Sequence, residues 1–268
     1  MTQGSALLRK AWQGKWALVT GASAGIGEAF AVELAASGVN LVLTARRKDR
    51  LEAISAKLTA AYKIQVRVIV ADLEQPDAPE RIFSETEGAG LDIDVLVNNA
   101  GFGYYGEFGK GDPVRQAAMV QVNCTAVVGL TNLYLPSMMR RRRGDVLLVA
   151  STASYQPVAY LATYAATKVF DLFLAEAIAE EVKKYGIRVS ALCPGHTESE
   201  FDEVAGISLD QKRGFQTADI VARRGLEGLA RGKHWVIPNL AGQVGVFVQR
   251  FVPRRLVTAA VEKAFRPK

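Results

Sequence analysis

The feature that most constrains the fold is a regular alternation between short apolar runs and longer stretches of helical period. Seven runs rich in Val, Ile and Leu predict strands at 16–20, 40–44, 65–71, 95–98, 145–150, 188–193 and 235–237. The stretches between them predict helices at 25–37, 48–62, 76–87, 113–142, 163–185 and 217–231. Strict alternation of this kind predicts an α/β fold with a doubly wound parallel sheet of about seven strands.

Composition excludes several classes of protein. Apolar residues make up 49% of the 268 residues and charged residues 22%, which excludes disordered and fibrous chains. We find no apolar run that approaches the roughly 18 residues of a membrane-spanning helix. The first 14 residues lack the apolar stretch and cleavage site of a signal peptide, so we expect a cytoplasmic protein. Two Cys and two His predict neither a disulfide framework nor a metal site.

Positive charge is concentrated near the C-terminus. Residues 211–268 carry a net charge of +9, whereas the preceding residues carry −3. This local basicity argues against a nucleic-acid partner, and the Arg run at 140–143 ends a predicted helix, where cations are favoured. Within 244–265, apolar residues mix with Arg and Lys. That mixture is typical of a helix in a membrane interface, but it also suits a segment that covers a pocket or a subunit interface.

A glycine-rich turn follows the first predicted strand. Gly21, Gly25 and Gly27 are spaced G-x3-G-x-G immediately before a predicted helix. Glycine lets a backbone approach a phosphate closely, and the N-terminus of a helix offers free N–H groups to an anion. The turn therefore predicts a dinucleotide site, with contacts from these residues: Gly21, Ser23, Ala24, Gly25, Ile26 and Gly27.

The end of the second strand predicts which dinucleotide is bound. NAD sites usually place an acidic residue here, but this chain has Arg46 and Arg47. Guanidinium groups bind phosphate bidentately, so we predict NADP(H) in preference to NAD(H), with Ser23 adding a hydroxyl. The alternative is that both arginines face solvent at the start of a helix.

Tyr164 and Lys168 form the main candidate for acid–base chemistry. They lie four residues apart and share one face of a predicted helix. A neighbouring ammonium favours the phenolate, so we expect a lowered pKa for Tyr164, which suits proton exchange with a carbonyl oxygen. Ser151, or less directly Ser154, follows the fifth strand and can hold that oxygen. The alternative is that Tyr164 belongs to the core and Lys168 to the surface.

Together these motifs resemble those of the short-chain dehydrogenase/reductase family. The resemblance rests on the glycine turn at 20–27, N-N-A-G at 98–101, Y-x3-K at 164–168 and Pro194-Gly195 after the sixth strand, and it covers about 15–199. It implies a Rossmann-type fold and an NADP(H)-dependent oxidoreductase that moves hydride between the nicotinamide and a carbonyl or alcohol. A catalytically silent NADP(H)-binding regulator is the alternative, and intact Ser151, Tyr164 and Lys168 argue against it.

The resemblance also implies roles for individual residues. The catalytic residues would be Ser151, Tyr164, Lys168 and Asn123, with Asn123 steadying its helix and fixing a water that leads to Lys168. The cofactor contacts beyond the glycine turn would be Arg46, Arg47, Asp72, Leu73, Asn99, Ala100, Gly101, Tyr164, Lys168, Pro194, Gly195, Thr197 and Ser199. Family members are commonly homodimers or homotetramers, and we expect the same here.

We predict one catalytic domain at 15–240, with an N-terminal extension at 1–14 and a basic amphipathic segment at 241–268. A substrate loop is expected at about 198–214. The expected pocket walls are Phe102, Tyr104, Tyr105, Tyr155, Tyr160 and residues 201–209. This aromatic lining favours an apolar ketone, aldehyde, acyl or steroid-like substrate.

Overall fold

A seven-stranded parallel sheet forms the centre of the protein in a computed structural model that describes residues 3–207 and 216–267. The strands are β1 (Trp16–Thr20), β2 (Asn40–Ala45), β3 (Val66–Val70), β4 (Val95–Asn98), β5 (Asp145–Val149), β6 (Arg188–Leu192) and β7 (Trp235–Val236). They lie in the order β3-β2-β1-β4-β5-β6-β7, and every pair is parallel. The predicted Rossmann-type fold is confirmed. The strand order reverses between β1 and β4, which is where ligands bind in such sheets.

Helices cover both faces of the sheet. They are α1 (Gln3–Trp12), α2 (Gly25–Ala36), α3 (Lys48–Tyr62), α4 (Ala78–Glu85), α5 (Pro113–Val120), α6 (Ala126–Arg141), α7 (Ala162–Val182), α8 (Phe201–Ala205), α9 (Ala218–Ala230), α10 (Leu240–Val248) and α11 (Arg254–Phe265). One face packs against α4, α6 and α7, and the other against α1, α2, α3 and α9. Successive side chains of a strand point to opposite faces of the sheet, so each strand contributes to both cores. In β1, Leu18 points into the first core, and Ala17 and Val19 point into the second.

The N-terminal segment contains a helix that the sequence analysis did not assign. In α1, Leu8 and Trp12 are fully buried against the sheet. The indole N–H of Trp12 donates to Oδ2 of Asp145 at 2.7 Å. Asp145 also pairs with Arg188 of β6. The helix is therefore part of the core that covers one face of the sheet.

One long helix corrects the expectation about membrane-spanning length. Helices α5 and α6 are joined by a π-helical turn, Gln121–Thr125, into a continuous rod, Pro113–Arg141, that is long and apolar enough to cross a membrane. Half of its most apolar window is buried inside the protein. Leu130, Tyr134 and Met138 lie in the core on the sheet. Packing on the sheet therefore accounts for the apolar composition of the rod.

Candidate active site

The carboxyl ends of the strands open into a cleft of about 500 Å³ at the point where the strand order reverses. Almost all of the predicted site residues line it: Gly21, Ser23, Ala24, Gly25, Ile26, Gly27, Arg46, Arg47, Asp72, Leu73, Asn99, Ala100, Gly101, Ser151, Tyr164, Lys168, Pro194, Gly195, Thr197 and Ser199. Asn123 is the exception, since it is fully buried behind the wall of the cleft.

The glycine turn has no room for side chains. Gly21 has φ +66°, and a Cβ there would lie 2.9 Å from Cα of Ala100. A Cβ on Gly27 would lie 2.1 Å from the carbonyl oxygen of Gly21. Thr20, which the sequence analysis did not single out, holds the facing loop because its Oγ1 accepts from the N–H groups of Asn99 and Ala100 at 2.9 Å each. Within the described residues, the N-cap of α2, Ala24, provides no side-chain hydrogen bond to the first turn of the helix. This close, uncapped turn fits the pyrophosphate of a dinucleotide.

The two arginines after β2 occupy different surroundings. Arg47 donates from Nε and Nη2 to Oγ of Ser23, at 3.1 and 3.0 Å, and from Nη1 to Glu200 at 2.7 Å. The side chain of Arg46 is 59% exposed and pairs with Glu74 at 3.0 Å. Arg47 therefore lies against the glycine turn, whereas Arg46 points toward solvent. The sequence analysis treated the two alike and did not identify Glu200.

Lys168 is held beneath the cleft. Its side chain is 7% exposed, and Nζ donates to the carbonyl oxygen of Val149 at 2.7 Å and to Oδ2 of Asp171 at 2.9 Å. Nζ lies 6.0 Å from the centroid of the Tyr164 ring. Asp171 was missed in the sequence. A lone carboxylate in an apolar run, three residues after Lys168, was the sequence signal that could have identified it.

The pKa of Tyr164 moves in the opposite direction from the one expected. The sequence predicted a lowered pKa, but burial raises it, because the cost of desolvating the phenolate outweighs the opposing effects of Lys168 and Ser151. The ring packs against Phe201 of α8 with centroids 5.0 Å apart. Tyr164 is therefore a phenol, and thus a proton donor, at neutral pH.

Ser151 and Ser154 have separate positions. Ser151 begins a 3-10 turn, Thr152–Tyr155, and its Oγ accepts from the N–H of Ala153 at 3.1 Å while lining the cleft. The hydroxyl of Ser154 is buried and donates to the carbonyl oxygen of Lys168 at 2.6 Å. Ser154 therefore fastens the loop to α7, and Ser151 is the serine that faces the cleft.

Asn123 lies in the π-helical turn. Its Oδ1 accepts from the N–H of Phe102 at 3.1 Å, and its Nδ2 donates to the carbonyl oxygen of Phe102 and to Oγ1 of Thr167. A Cβ on Gly101 would lie 3.1 Å from Oδ1 of Asn123 and 3.5 Å from Nζ of Lys168. Asn123 thus joins the loop after β4 to α7. The water that it was expected to fix stays a prediction.

The remaining predicted cofactor contacts make local bonds. Oδ1 of Asp72 accepts from the N–H of Glu74 at 3.1 Å. In the loop after β6, the hydroxyl of Thr197 donates to the carbonyl oxygen of Gly195, and that of Ser199 to the carbonyl oxygen of Thr197. These bonds fix turns whose side chains line the cleft.

The expected aromatic walls are corrected in part. Phe102 and Phe201 line the cleft, but the four predicted tyrosines do not. Tyr105 instead donates to the carbonyl oxygen of Phe265 at 2.6 Å, and Tyr160 to Glu262 at 2.8 Å, so both hold α11 in place. The apolar wall in the described residues comes from Phe102, Val122, Val158, Leu161, Phe201, Val204, Ile207 and Phe265. Residues 208–214 of the predicted substrate loop lie outside the described residues.

Comparison with known proteins identifies the family. Residues 15–207 match the family described as short chain dehydrogenase. Very-long-chain 3-oxoacyl-CoA reductase-B of Danio rerio is 36% identical over 208 residues, which are 76% of this chain and 66% of that protein. The chain belongs to the short-chain dehydrogenase family, as the resemblance implied. It spans about two thirds of the length of the curated relatives that it matches.

Solved structures agree with this assignment. A short-chain dehydrogenase from Sphingobium yanoikuyae in complex with NADPH superposes with a TM-score of 0.81 and 29% identity, covering 88% of this chain and 93% of that one. A 7beta-hydroxysteroid dehydrogenase superposes with a TM-score of 0.85 and 25% identity, covering 95% and 98%.

Proposed function

We propose that this protein is an NADP(H)-dependent oxidoreductase that reduces the carbonyl group of an apolar substrate. The observation that carries the proposal is the convergence of Ser151, Tyr164 and Lys168 on one cleft beside the uncapped glycine turn. The nicotinamide, when bound, supplies or accepts the hydride. Tyr164 donates its phenolic proton to the carbonyl oxygen, and the hydroxyl of Ser151 orients that oxygen.

The raised pKa of Tyr164 supports reduction as the reaction at neutral pH. Carbonyl reduction needs the phenol as an acid, whereas alcohol oxidation needs the phenolate as a base. Burial favours the protonated phenol, so we expect reduction to be supported at neutral pH and oxidation to gain from alkaline conditions.

An acyl substrate is supported by the walls of the cleft and by the relatives. Val158, Leu161, Phe201 and Phe265 present apolar surface near the catalytic tyrosine. Several relatives are named very-long-chain 3-oxoacyl-CoA reductases, and one structural neighbour is named for a hydroxysteroid. We favour the ketone of a 3-oxoacyl thioester, because an acyl chain matches both the apolar walls and the larger set of relatives.

Turnover of such ketones tests the proposal. The protein is mixed with NADPH and 3-oxoacyl-CoA esters of increasing chain length, and absorbance at 340 nm is followed. Tyr164→Phe removes only the acid, so it should bind NADPH normally and lose about 10²–10⁴-fold in kcat. Tyr62→Phe, which changes an exposed tyrosine of α3, is the matched control. A Tyr164→Phe variant with a tenth of the parent activity contradicts the mechanism. NADPH binding without turnover of any carbonyl favours the regulatory alternative.

A homodimer or homotetramer is supported by apolar side chains on the helices that flank the site. Val114 and Val120 of α5, and Phe170 and Phe173 of α7, are exposed in the single chain. Exposed apolar side chains grouped on neighbouring helices are typical of subunit interfaces. Size-exclusion chromatography with light scattering measures the mass directly, and a monomer at micromolar concentration contradicts this part of the proposal.

Features of the C-terminal segment support both alternatives that the sequence left open. Helix α11 borders the cleft, since Val261 and Phe265 pack against the cluster of Val158, Leu161 and Ala165 and Phe265 lines the cleft. An apolar face that runs from α10 to the first turn of α11 stays exposed at Leu240, Val244, Phe247, Val248, Phe251, Val252 and Leu256. No acidic residue occurs between 240 and 261, whereas Arg250, Arg254 and Arg255 do. An apolar face bordered only by cations suits the surface of an anionic bilayer.

We therefore include peripheral membrane contact in the proposal, tested by flotation with vesicles. The protein should float at low salt with phosphatidylserine-containing vesicles and not with pure phosphatidylcholine vesicles. Phe247→Ser/Phe251→Ser breaks the ring pair, whose centroids are 5.4 Å apart, and should abolish flotation. Phe108→Ser, which changes an exposed phenylalanine elsewhere, should not. Parent protein that stays at the bottom with anionic vesicles rules the contact out.

A further inference from the structure

One buried carboxylate in the site takes no part in the proposed reaction. Asp171 lies on α7, three residues after Lys168, with a side chain that is 2% exposed. Its Oδ2 accepts from Nζ of Lys168, while its Oδ1 is buried and has no hydrogen-bond partner within the described residues. A buried ion pair costs desolvation free energy that its own attraction seldom repays, so its presence calls for a role beyond stability.

The geometry shows what this carboxylate does to Lys168. Two of the three ammonium protons are used in hydrogen bonds within the protein, one to the carbonyl oxygen of Val149 and one to Asp171. The third ammonium proton remains available on the side of Nζ where Tyr164 and the loop at Gly101 lie. The two hydrogen bonds therefore restrict the direction of the third proton.

We propose that Asp171 is the positioning residue of this active site: its carboxylate keeps Lys168 in the ammonium form and fixes Nζ between the core and the cleft. The inference rests on the proposed function, since it assigns the purpose of this pair to proton donation by Tyr164. Through Lys168, Asp171 extends to higher pH the range in which the site works as a reductase.

The charges around Lys168 support this assignment. Burial by itself lowers the pKa of Lys168, but Asp171 and Tyr164 raise it to above its ordinary value. The group that faces Lys168 from the π-helical turn is the thiol of Cys124, whose pKa burial raises to about 11, so it carries no charge at neutral pH. At the end of β6, burial likewise raises the pKa of the Cys193 thiol to about 12. Burial raises the pKa of Asp171 as well, against the opposing effect of Lys168, so the assignment depends on the geometry of the pair. The 2.9 Å bond from Nζ to Oδ2 makes Asp171 the carboxylate that holds the charge on Lys168.

The negative charge of Asp171 raises the pKa of Tyr164, as it raises that of Lys168. The pKa of Tyr164 is raised by burial first, and the negative charges of Asp171 and of Asp202, in α8, raise it further. Removing the charge at Asp171 lowers the pKa of Lys168 and that of Tyr164. Reduction needs both groups protonated, so in either case the alkaline fall in kcat moves to lower pH.

The variant that tests this is Asp171→Asn, which keeps the shape and an acceptor oxygen but removes the charge. For carbonyl reduction with NADPH, we expect the alkaline limb of kcat to move down by about one pH unit or more, with Asp171→Glu restoring most of the parent profile. Glu180→Gln removes an exposed carboxylate from the same helix and should leave the profile unchanged. An unchanged profile in folded Asp171→Asn protein would show a structural role only and overturns the proposal.

A second readout does not depend on turnover. In protein labelled with [ε-13C]lysine, the Lys168 signal is assigned by its loss in Lys168→Arg and followed with pH. We expect Lys168 to titrate above the ordinary lysine value of 10.5 in the parent protein and at clearly lower pH in Asp171→Asn, because the variant lacks the charge that raises its pKa. If Asp171→Asn does not fold, the parent spectrum still decides, because titration of Lys168 below the ordinary lysine value of 10.5 contradicts the proposal. A failure of the proposed function shows separately, as activity retained by Tyr164→Phe.

Discussion

Replacing Arg47 with Ala should remove the preference for NADP(H), whereas replacing Arg46 should change it little. The guanidinium of Arg47 places two N–H groups on Ser23 at the glycine turn, at 3.1 and 3.0 Å. A 2′-phosphate beside Ser23 would take these donors as charged hydrogen bonds. Arg46 points to Glu74 with most of its side chain in water.

The magnitude follows from the exposure of each guanidinium. A hydrogen bond to a charged group contributes about 1.5–3 kcal/mol, and about 1.4 kcal/mol changes affinity tenfold. The side chain of Arg47 is 40% exposed, so solvent screening favours the lower end, about a 10- to 30-fold weaker Kd for NADPH. For Arg46, 59% exposed, an exposed pair is worth at most about 1 kcal/mol, which is about fivefold or less.

The assay is a fluorescence titration of each variant with NADPH and with NADH, supported by competition with 2′,5′-ADP. Arg47→Ala should weaken NADPH and 2′,5′-ADP together and change the Kd for NADH less than about threefold. Equal losses for NADPH and NADH would mean that Arg47 supports the fold of the cleft and not the phosphate. A larger selective loss in Arg46→Ala would refute the distinction between the two arginines.

Three further outcomes follow from local geometry. Gly27→Ala should abolish NADPH binding with the circular dichroism spectrum retained, because its Cβ would lie 2.1 Å from the oxygen of Gly21; binding within threefold of the parent contradicts this. Trp12→Phe should lower the free energy of unfolding in urea by about 2 kcal/mol, because a buried carboxylate loses a donor, and a change below about 0.5 kcal/mol would refute it. At pH 8, iodoacetamide should leave Cys124 unmodified in the native protein and alkylate it in urea, because a pKa of about 11 leaves little thiolate; a native adduct by mass spectrometry contradicts it.

The sheet could be predicted from the sequence because each strand is a local signal. Strands buried on both faces are apolar throughout, and β1 and β4 have the predicted bounds, with the other strands within two residues at each end. Helix α1 could not be predicted in this way. Leu8 and Trp12 do have the four-residue spacing of a helix face, but the hydrogen bond that fixes Trp12 is made to Asp145, which lies 133 positions along the chain.

The residues of the candidate site likewise fall into those that a local motif predicts and those that depend on distant segments. Motifs that follow a strand, such as the glycine turn and Tyr164 with Lys168, are set by position in the sheet and could be predicted. Contacts between distant segments could not: Arg47 with Glu200 spans 153 positions, and Tyr105 with Phe265 spans 160. The pKa of Tyr164 was mistaken for a related reason, since sequence spacing gives the nearby ammonium but not the burial that outweighs it.

Two buried carboxylates, each paired with a basic side chain, lie at opposite ends of the sheet, and their hydrogen bonds indicate opposite purposes. Asp145 begins β5, away from the cleft, and its oxygens are fully used by Trp12 and Arg188. Asp171 lies beside the cleft, and one of its oxygens has no partner in the described part of the chain. A fully paired carboxylate stabilises the fold. Loss of its donor should therefore lower the free energy of unfolding without moving the pH profile of kcat. An incompletely paired one is costly to bury, so its loss should move the pH profile more than it lowers stability. Measuring both quantities for Trp12→Phe and Asp171→Asn separates the two purposes, because each variant should change the quantity that the other leaves nearly unaltered.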